Sequence, residues 1–300
     1  MADENQLDGI ADLTSKAKGS LGQNIGQLQQ LMMHSGEFKK AAKFFDTVPE
    51  LPAEEGRNFL KMMEHIKHAC DSYGQVLGGA RRYVISAKAF SKDTVNFTTD
   101  VQKDDLEPGD IEDVFSDFTD SIDKMKESSR EVEALKENFK SVLMRLRTAQ
   151  AEAESERVRG KEKAGSKRPH AGATFLGTIA SFLGIEFPFK SSNDAETSKE
   201  WEEALDSVLR RLDEVYSILD SMRDECTSAL DQLSHGIKGI VDKSKAMADW
   251  KNPAKSKHMK EKCIRLGEES AELERACIEY MRADDKIRGI AGAMNRLSME

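Results

Sequence analysis

Apolar side chains recur at alternating intervals of three and four residues along most of this 300-residue chain. One unbroken series is Phe59, Met63, Ile66, Cys70, Tyr73, Leu77, Ala80, Val84 and Ala87. A mean spacing of 3.5 residues places every member on one side of an α-helix, as in helices that pack along a seam. A narrow seam does not stabilise an isolated helix. The spacing therefore predicts long amphipathic helices that bundle.

Proline-containing segments and changes in spacing divide the series into about five helices. The predicted helices cover about 7–45, 53–90, 109–158, 201–247 and 254–297, with Gly236 and Gly239 as bending points in the fourth. Short connections such as Lys251-Asn252-Pro253 imply antiparallel neighbours. We predict an all-α fold, an elongated antiparallel bundle of about five long heptad-patterned helices with a short apolar tongue at one end.

The composition agrees with long helices and limits the classes of partner. Charged residues make up 33% of the chain and aromatic residues 6%, which favours helices over sheets. A net charge of −9 argues against nucleic acid as a partner. The four cysteines, Cys70, Cys226, Cys263 and Cys277, fall on the apolar stripes, where we expect small core residues.

The sequence carries no recognisable targeting segment or catalytic motif. The acidic N-terminus lacks the apolar run of a secretory signal peptide, and no stretch has the roughly 18–20 apolar residues of a transmembrane helix. HExxH, GxxxxGK[ST], GxSxG and GxGxxG are all missing. His65 and His68 lie three residues apart, but no third ligand completes a metal site. We expect no enzyme activity, cofactor or bound metal, and a soluble cytoplasmic protein or one released without a classical signal peptide.

One segment does not fit a helical bundle. Residues 173–189, ATFLGTIASFLGIEFPF, contain a single charge, Glu186. Eight large apolar side chains crowd there: Phe175, Leu176, Ile179, Phe182, Leu183, Ile185, Phe187 and Phe189. Burying all eight stabilises by on the order of 12–20 kcal/mol gross, so something must cover them. The segment is either a plug that packs permanently on the end of the bundle or a tongue that enters a bilayer.

A basic run precedes this apolar segment. Its positive side chains, which we expect to contact lipid headgroups, are Arg157, Arg159, Lys161, Lys163, Lys167 and Arg168. A basic flank beside an apolar anchor gives the two signals that stable membrane attachment usually needs. A solvated linker is the alternative interpretation of the run alone. The predicted domains are a tail, residues 1–156 and 191–300, and a head, residues 157–190.

The predicted first helix is amphipathic but intrinsically weak. Its apolar face holds Leu7, Ile10, Ala17, Leu21, Ile25, Leu28 and Met32, and its polar face Gln23, Asn24, Gln27 and Gln30. Four glycines, Gly9, Gly19, Gly22 and Gly26, each cost up to about 1 kcal/mol relative to alanine. We expect a helix that either rearranges or only pads the bundle.

The order of these parts resembles the cytolysin A and haemolysin BL group of α-helical pore-forming toxins. The resemblance covers nearly the whole chain and rests on architecture: a weak amphipathic helix, a long helix, a long pair flanking the apolar segment, and a final long helix. It implies a protein that is soluble until its tongue, Phe175 to Phe189, enters a membrane. It also implies that Leu7 to Met32 then line a pore formed by several copies of the chain, alone or with other subunits.

Two other classes of function stay open on the sequence. One is a coiled-coil structural protein, such as a membrane-shaping dimer, tether or scaffold; the other is an adaptor whose apolar loop binds a partner protein. A membrane-shaping crescent needs basic residues spread along one face, whereas here they are concentrated in residues 157–170. That concentration favours a membrane-inserting protein whose partners are membrane lipid, anionic lipid in particular, and further copies of itself.

Overall fold

Almost all of the residues that the structure describes are helical. The computed structural model describes residues 2–33, 57–103, 108–163, 209–222, 225–246 and 256–297. The helices are α1 (Ala2–Met32), α2 (Arg57–Asp100), α3 (Pro108–Lys163), α4 (Glu225–Ala246) and α5 (Lys257–Leu297), and residues 209–220 are helical as well. No strand occurs in these ranges. The predicted all-α helical bundle is confirmed.

α2 continues past its predicted end at residue 90 and ends at Asp100. Thr94 and Thr98 interrupt the apolar series there, yet both side chains are buried. Their hydroxyls donate to carbonyls of the same helix, Thr94 Oγ1 to Phe90 O at 2.7 Å and Thr98 Oγ1 to Val95 O at 2.9 Å. Because the hydroxyls are satisfied internally, threonine continues the buried face at little cost.

The predicted helix 201–247 is interrupted at a place where its sequence gives no sign of a break. Helical residues 209–220 end in a turn at Ser221 and a bend at Met222, and α4 begins at Glu225. The apolar spacing runs through this break unchanged, and neither glycine nor proline marks it. The prediction of one continuous helix was therefore wrong.

Gly236 and Gly239, the predicted bending points, lie inside α4. A Cβ atom at Gly236 would lie 3.4 Å from Ile10 Cγ1, and one at Gly239 would lie 3.6 Å from Gln6 Nε2. Both glycines therefore face α1, and α4 passes through them without interruption. Both distances lie in the range of ordinary van der Waals contact, so alanine would also fit at either position.

The chain divides into two compact units. The first comprises Met1–Gln29, Gly78–Glu133 and Ser221–Glu300, and the second comprises Gln30–Leu77 and Ala134–Asp220.

Within the first unit, α2 and α3 run antiparallel. Arg82 on α2 donates a hydrogen bond from Nε to Oε2 of Glu131 on α3 at 3.0 Å. Further along α2, Phe97 packs edge-on against Phe115 near the start of α3, with ring centroids 5.0 Å apart. Phe97 also stacks on Phe118 at 4.5 Å. Aromatic packing of this kind contributes beyond simple burial of area, so these rings fix the register of the two helices.

The second unit joins its own parts of α2 and α3 with helical residues 209–220. Lys61 Nζ lies 2.7 Å from Glu152 Oε2, and Arg147 Nη2 lies 2.6 Å from Asp213 Oδ1. The Tyr73 hydroxyl donates to the carbonyl oxygen of Leu31. The exposed pairs contribute little by themselves, so the buried apolar side chains stabilise this unit.

Lys136, which interrupts the apolar series of α3 in the sequence, lies on the buried side of that helix. Its side chain is 10% exposed, and its ammonium nitrogen lies 3.7 Å from Asp220 Oδ1. The aliphatic stem of a lysine packs against apolar neighbours while its charged end reaches a polar partner. The seam therefore continues through this residue.

The prediction that all four cysteines are core residues is confirmed. Cys70, Cys226, Cys263 and Cys277 are buried free thiols. Burial raises the pKa of the Cys70, Cys226 and Cys277 thiols to about 12, so these side chains stay protonated at neutral pH. Thiols of this kind are packing residues of low reactivity.

Among the described helices, none is both long enough and apolar enough to cross a bilayer. The apolar segment 173–189 lies outside the described residues, as does the predicted continuation of the first helix to residue 45. The division into a tail, residues 1–156 and 191–300, and a head, residues 157–190, stays a prediction.

Candidate functional site

α1 buries three positions of every seven-residue repeat, which together form the inner face of α1. These residues are Leu7, Thr14, Leu21 and Leu28, then Ile10, Ala17, Asn24 and Leu31, then Ala11, Lys18, Ile25 and Met32. All seven residues of the predicted pore-lining helix are among them, each at most 4% exposed. Here they pack inside the protein, so their pore-lining role stays a prediction. The inner face also contains three polar residues, Thr14, Lys18 and Asn24.

An ion-pair cluster joins the start of α1 to the start of α5. This Lys262 cluster consists of Asp8, Asp12, His258 and Lys262. Lys262 Nζ lies 2.8 Å from Asp12 Oδ1 and also pairs with Asp8, whose Oδ1 lies 2.9 Å from His258 Nε2. The hydrogen bond from Lys262, with a further contribution from His258, lowers the pKa of Asp8. The cluster is partly open to water, so it orients α1 more than it stabilises it.

Two turns further on, Lys18 places an ammonium group on the inner face of α1. Its side chain is 4% exposed. Lys18 Nζ donates to Leu266 O at 2.6 Å and to Ser270 Oγ at 2.8 Å, both on α5. Burial lowers the pKa of Lys18 to about 8, although the Glu269 carboxylate opposes that shift. Residue numbers rise together along α1 and α5 in these contacts, so the two helices run parallel.

The next polar group of the inner face belongs to Asn24. The prediction put Asn24 on a water-facing side, but it is 2% exposed, and its Nδ2 donates to the Tyr83 hydroxyl at 3.0 Å. The Tyr83 and Ser129 hydroxyls lie near the Cys226 thiol and partly oppose the burial that raises its pKa. Burial raises the pKa of Tyr83 well above its usual value. Polar groups from α1, α2, α3 and α4 therefore meet in one buried layer.

Gln27 connects α1 to the break before α4. Its Nε2 donates to the carbonyl oxygen of Ser221 at 3.0 Å. In an uninterrupted helix that carbonyl would accept from the backbone amide of Glu225, four residues on. The Gln27 amide thus provides a donor for a carbonyl at the end of a helix.

The glycines of α1 are not required by packing. Among the described residues, a Cβ atom at Gly9, Gly19, Gly22 or Gly26 would meet no heavy atom within 4 Å apart from the adjoining backbone of α1 itself. Alanine would therefore fit at all four positions and would favour the helix by up to about 1 kcal/mol each. The sequence of α1 weakens the helix at positions where the docked structure gains nothing from glycine.

The other predicted site residues lie largely beyond what the structure describes. All eight apolar residues of the tongue, from Phe175 to Phe189, fall in the range 164–208, as do Lys167 and Arg168. The backbone at Arg157, Arg159, Lys161 and Lys163 belongs to the last turns of α3. Their contact with lipid and the insertion of the tongue stay predictions.

Sequence reasoning missed Lys18 as a residue of the inner face, although a signal was present. Thr14, Lys18 and Asn24 each stand at a multiple of seven residues from an apolar member of that face, for example Lys18 from Ala11 and Ile25. Helical faces repeat with that period. A polar residue at such a position is predicted to be buried, and its partner must then come from another helix.

No family model matches the sequence, and no curated protein is significantly similar. Across the described ranges, no group of three His, Cys, Asp or Glu side chains is arranged to hold a metal ion. The arguments for function therefore rest on the docking of α1 and on the sequence of the apolar segment.

Proposed function

We propose that this protein is a non-enzymatic, membrane-inserting and pore-forming protein. Its apolar tongue engages a bilayer, α1 then leaves the first unit, and several copies of the chain assemble with their α1 helices around a pore. The observation that carries the proposal is the set of four α1 glycines that packing does not require. A helix that has to undock benefits from low intrinsic stability, whereas a permanently docked helix does not.

The contacts of α1 suit reversible docking. The Lys262 cluster is partly hydrated, and water replaces its ion pairs when the helices separate. Lys18 and Asn24 are amphipathic or polar, so each regains full hydration outside the protein. Apolar members such as Leu21 and Leu28 oppose release, because undocking exposes them unless a membrane or another subunit covers them. This difference makes release dependent on a membrane.

The basic run and the apolar segment support the membrane as the target. The basic run begins in the last turns of α3, and the apolar segment follows it in the sequence before helical residues 209–220. Anionic lipid attracts each lysine or arginine near its surface by about 1 kcal/mol, and the apolar side chains provide the second signal. We therefore expect stronger binding to vesicles that contain anionic lipid.

A reversible crosslink tests whether α1 must leave. The variant Asp12→Cys/Lys262→Cys places one cysteine on α1 and one on α5. The native side chains at these two positions are in contact. A short, reducible thiol crosslinker then fixes α1, while the four native thiols are buried. The crosslinked protein should bind liposomes but release no trapped dye, and reduction of the crosslink should restore release. The same sample before and after reduction is its own control.

The outcomes separate this function from the structural alternatives. Equal dye release before and after reduction contradicts the departure of α1. Binding to liposomes with no release in either state, at any lipid composition, contradicts pore formation and favours a membrane-associated scaffold. Absence of any binding favours the adaptor, whose apolar loop contacts protein.

A further inference from the structure

The charge of Lys18 is buried, and no described residue forms an ion pair with it. Within the described part of the chain, no carboxylate oxygen lies within 4.0 Å of its ammonium nitrogen; the partners are the Leu266 carbonyl and the Ser270 hydroxyl. Glu269, which directly precedes Ser270 on α5, pairs with Arg265 instead. Arg265 Nε lies 3.4 Å from Glu269 Oε1. A buried ammonium that lacks a paired carboxylate is destabilised relative to water.

The partners of Lys18 do not depend on it. Ser270 Oγ donates to Leu266 O at 2.7 Å, and the Ser270 carbonyl accepts from Ser91 Oγ on α2 at 2.5 Å. If the ammonium were absent, these groups would keep their hydrogen bonds to one another. Removing the charge therefore leaves the Leu266 carbonyl and the Ser270 hydroxyl hydrogen-bonded, which avoids the usual penalty of an orphaned partner at these two groups.

We propose that Lys18 sets how readily α1 undocks, because its buried charge opposes docking and is relieved when the helix reaches water. The inner face of α1 provides the apolar contacts that hold the helix, and Lys18 reduces their net effect. The effect of Lys18 on pore formation rests on the proposed function. Its effect on the docking of α1 does not, and it can be measured in solution without membranes. Lys18 thus reduces the free-energy difference between docked and undocked α1.

The sign of the pH dependence follows from the lowered pKa. The pKa of Lys18 is about 8 when α1 is docked, against an ordinary value of 10.5. Below about pH 8, Lys18 is charged whether α1 is docked or undocked, so burial of its charge opposes docking in full. As the pH rises from about 8 toward the ordinary pKa of 10.5, docked Lys18 loses its proton and this opposition decreases. The charged groups that act on Lys18 are Glu269, which favours its charge, and Arg265, which disfavours it, both on α5.

Hydrogen exchange of the α1 amides tests the inference on the intact protein in solution. The variants are Lys18→Met, which keeps the unbranched stem, and Lys18→Gln, which keeps hydrogen-bond donors without the charge. Lys16→Met is the matched control, because Lys16 is an exposed lysine of the same helix. After correction for intrinsic rates, Lys18→Met should raise the protection of α1 amides by on the order of 100-fold near pH 7, and Lys16→Met should not change it.

The pH dependence provides a second readout. The excess protection of Lys18→Met over the wild type should shrink at least about tenfold between about pH 7 and about pH 9.5, because the docked wild-type residue loses its charge over that interval. Lys18→Gln should also exceed the wild type near pH 7. If neither variant exceeds it, the hydrogen bonds of Lys18 hold α1 in place and the inference is overturned.

Dye release distinguishes failure of this inference from failure of the proposed function. Greater protection in Lys18→Met together with slower dye release supports both. Greater protection with no dye release by the wild type under any condition leaves Lys18 as a determinant of docking and removes the pore. Unchanged protection with efficient release by the wild type keeps the pore and removes Lys18 as its determinant.

Discussion

Arg81 on α2 forms an ion pair with Asp284, a carboxylate on the buried side of α5. The Asp284 side chain is 5% exposed and that of Arg81 is 28% exposed. Arg81 Nη1 also lies 2.9 Å from Asp285 Oδ1 at the surface. The hydrogen bonds that Arg81 donates to Asp284 and then to Asp285 raise the pKa of Arg81. The neighbouring Arg82 forms an equally close ion pair with Glu131, but the side chains of both Arg82 and Glu131 are exposed.

These adjacent arginines give a matched test of buried and exposed ion pairs. Arg81→Met removes one charged partner of the buried Asp284 carboxylate, and we expect it to lower the free energy of unfolding of the first unit by about 2 to 4 kcal/mol. Arg82→Met should lower it by at most about 1 kcal/mol. Urea unfolding followed by circular dichroism measures both. Equal losses in the two variants would mean that the burial of Asp284 does not govern the pair.

Alanine in place of the four α1 glycines should hold α1 in the docked state. The variant Gly9→Ala/Gly19→Ala/Gly22→Ala/Gly26→Ala gains up to about 4 kcal/mol of helix stability, since no neighbour obstructs the added methyl groups. We expect greater hydrogen-exchange protection of α1 and slower dye release, with unchanged binding to liposomes.

The control for the glycine variant is Gly74→Ala/Gly267→Ala. These glycines lie in α2 and α5, and a Cβ there would also meet no heavy atom within 4 Å. The control should become more stable without any effect on dye release. Equal slowing by both variants would show that general stability, and not the looseness of α1, limits release.

Acid should weaken the attachment of α1 to α5. Lys262 is the main cause that lowers the pKa of Asp8 from its ordinary value of 3.8. The Asp8 carboxylate therefore stabilises docking at pH values above 3.8. This stabilisation is lost as the pH falls through the lowered pKa. Hydrogen exchange of α1 amides should show protection falling below about pH 4. Asp8→Asn should show less protection than the wild type at neutral pH and a smaller fall in acid. An identical fall in both proteins would contradict a role of Asp8 in this pH dependence.

Charges in the apolar segment should prevent membrane association. Phe182→Asp/Leu183→Asp puts two carboxylates where we expect hydrocarbon, which costs several kcal/mol. We expect unchanged helicity by circular dichroism and loss of binding in liposome flotation. Ser191→Asp/Ser192→Asp adds the same charges just beyond the apolar residues and should still bind. Binding by both variants would indicate that the segment is a permanent plug.

Much of the helical framework could be read from apolar spacing alone. The start of α3 at Pro108, the end of α5 near residue 297 and the burial of all four cysteines agree with the spacing, because a helix repeats its buried side every seven residues whatever lies against it. The inner face of α1 was predicted for the same reason. Its four glycines were visible in the sequence, but the structure was needed to show that packing does not require them.

Tertiary structure decided where polar residues enter the core and where a helix breaks. Lys18, Asn24 and Asp284 occupy buried positions because Ser270, Tyr83 and Arg81, all distant in sequence, satisfy or pair with them. The break at Ser221 likewise occurs where Gln27 of α1 donates to a carbonyl, and nothing in the local sequence marks it. Spacing within one helix determines which side is buried. The cost of a polar group on that side depends on the neighbouring helix, which only the folded chain supplies.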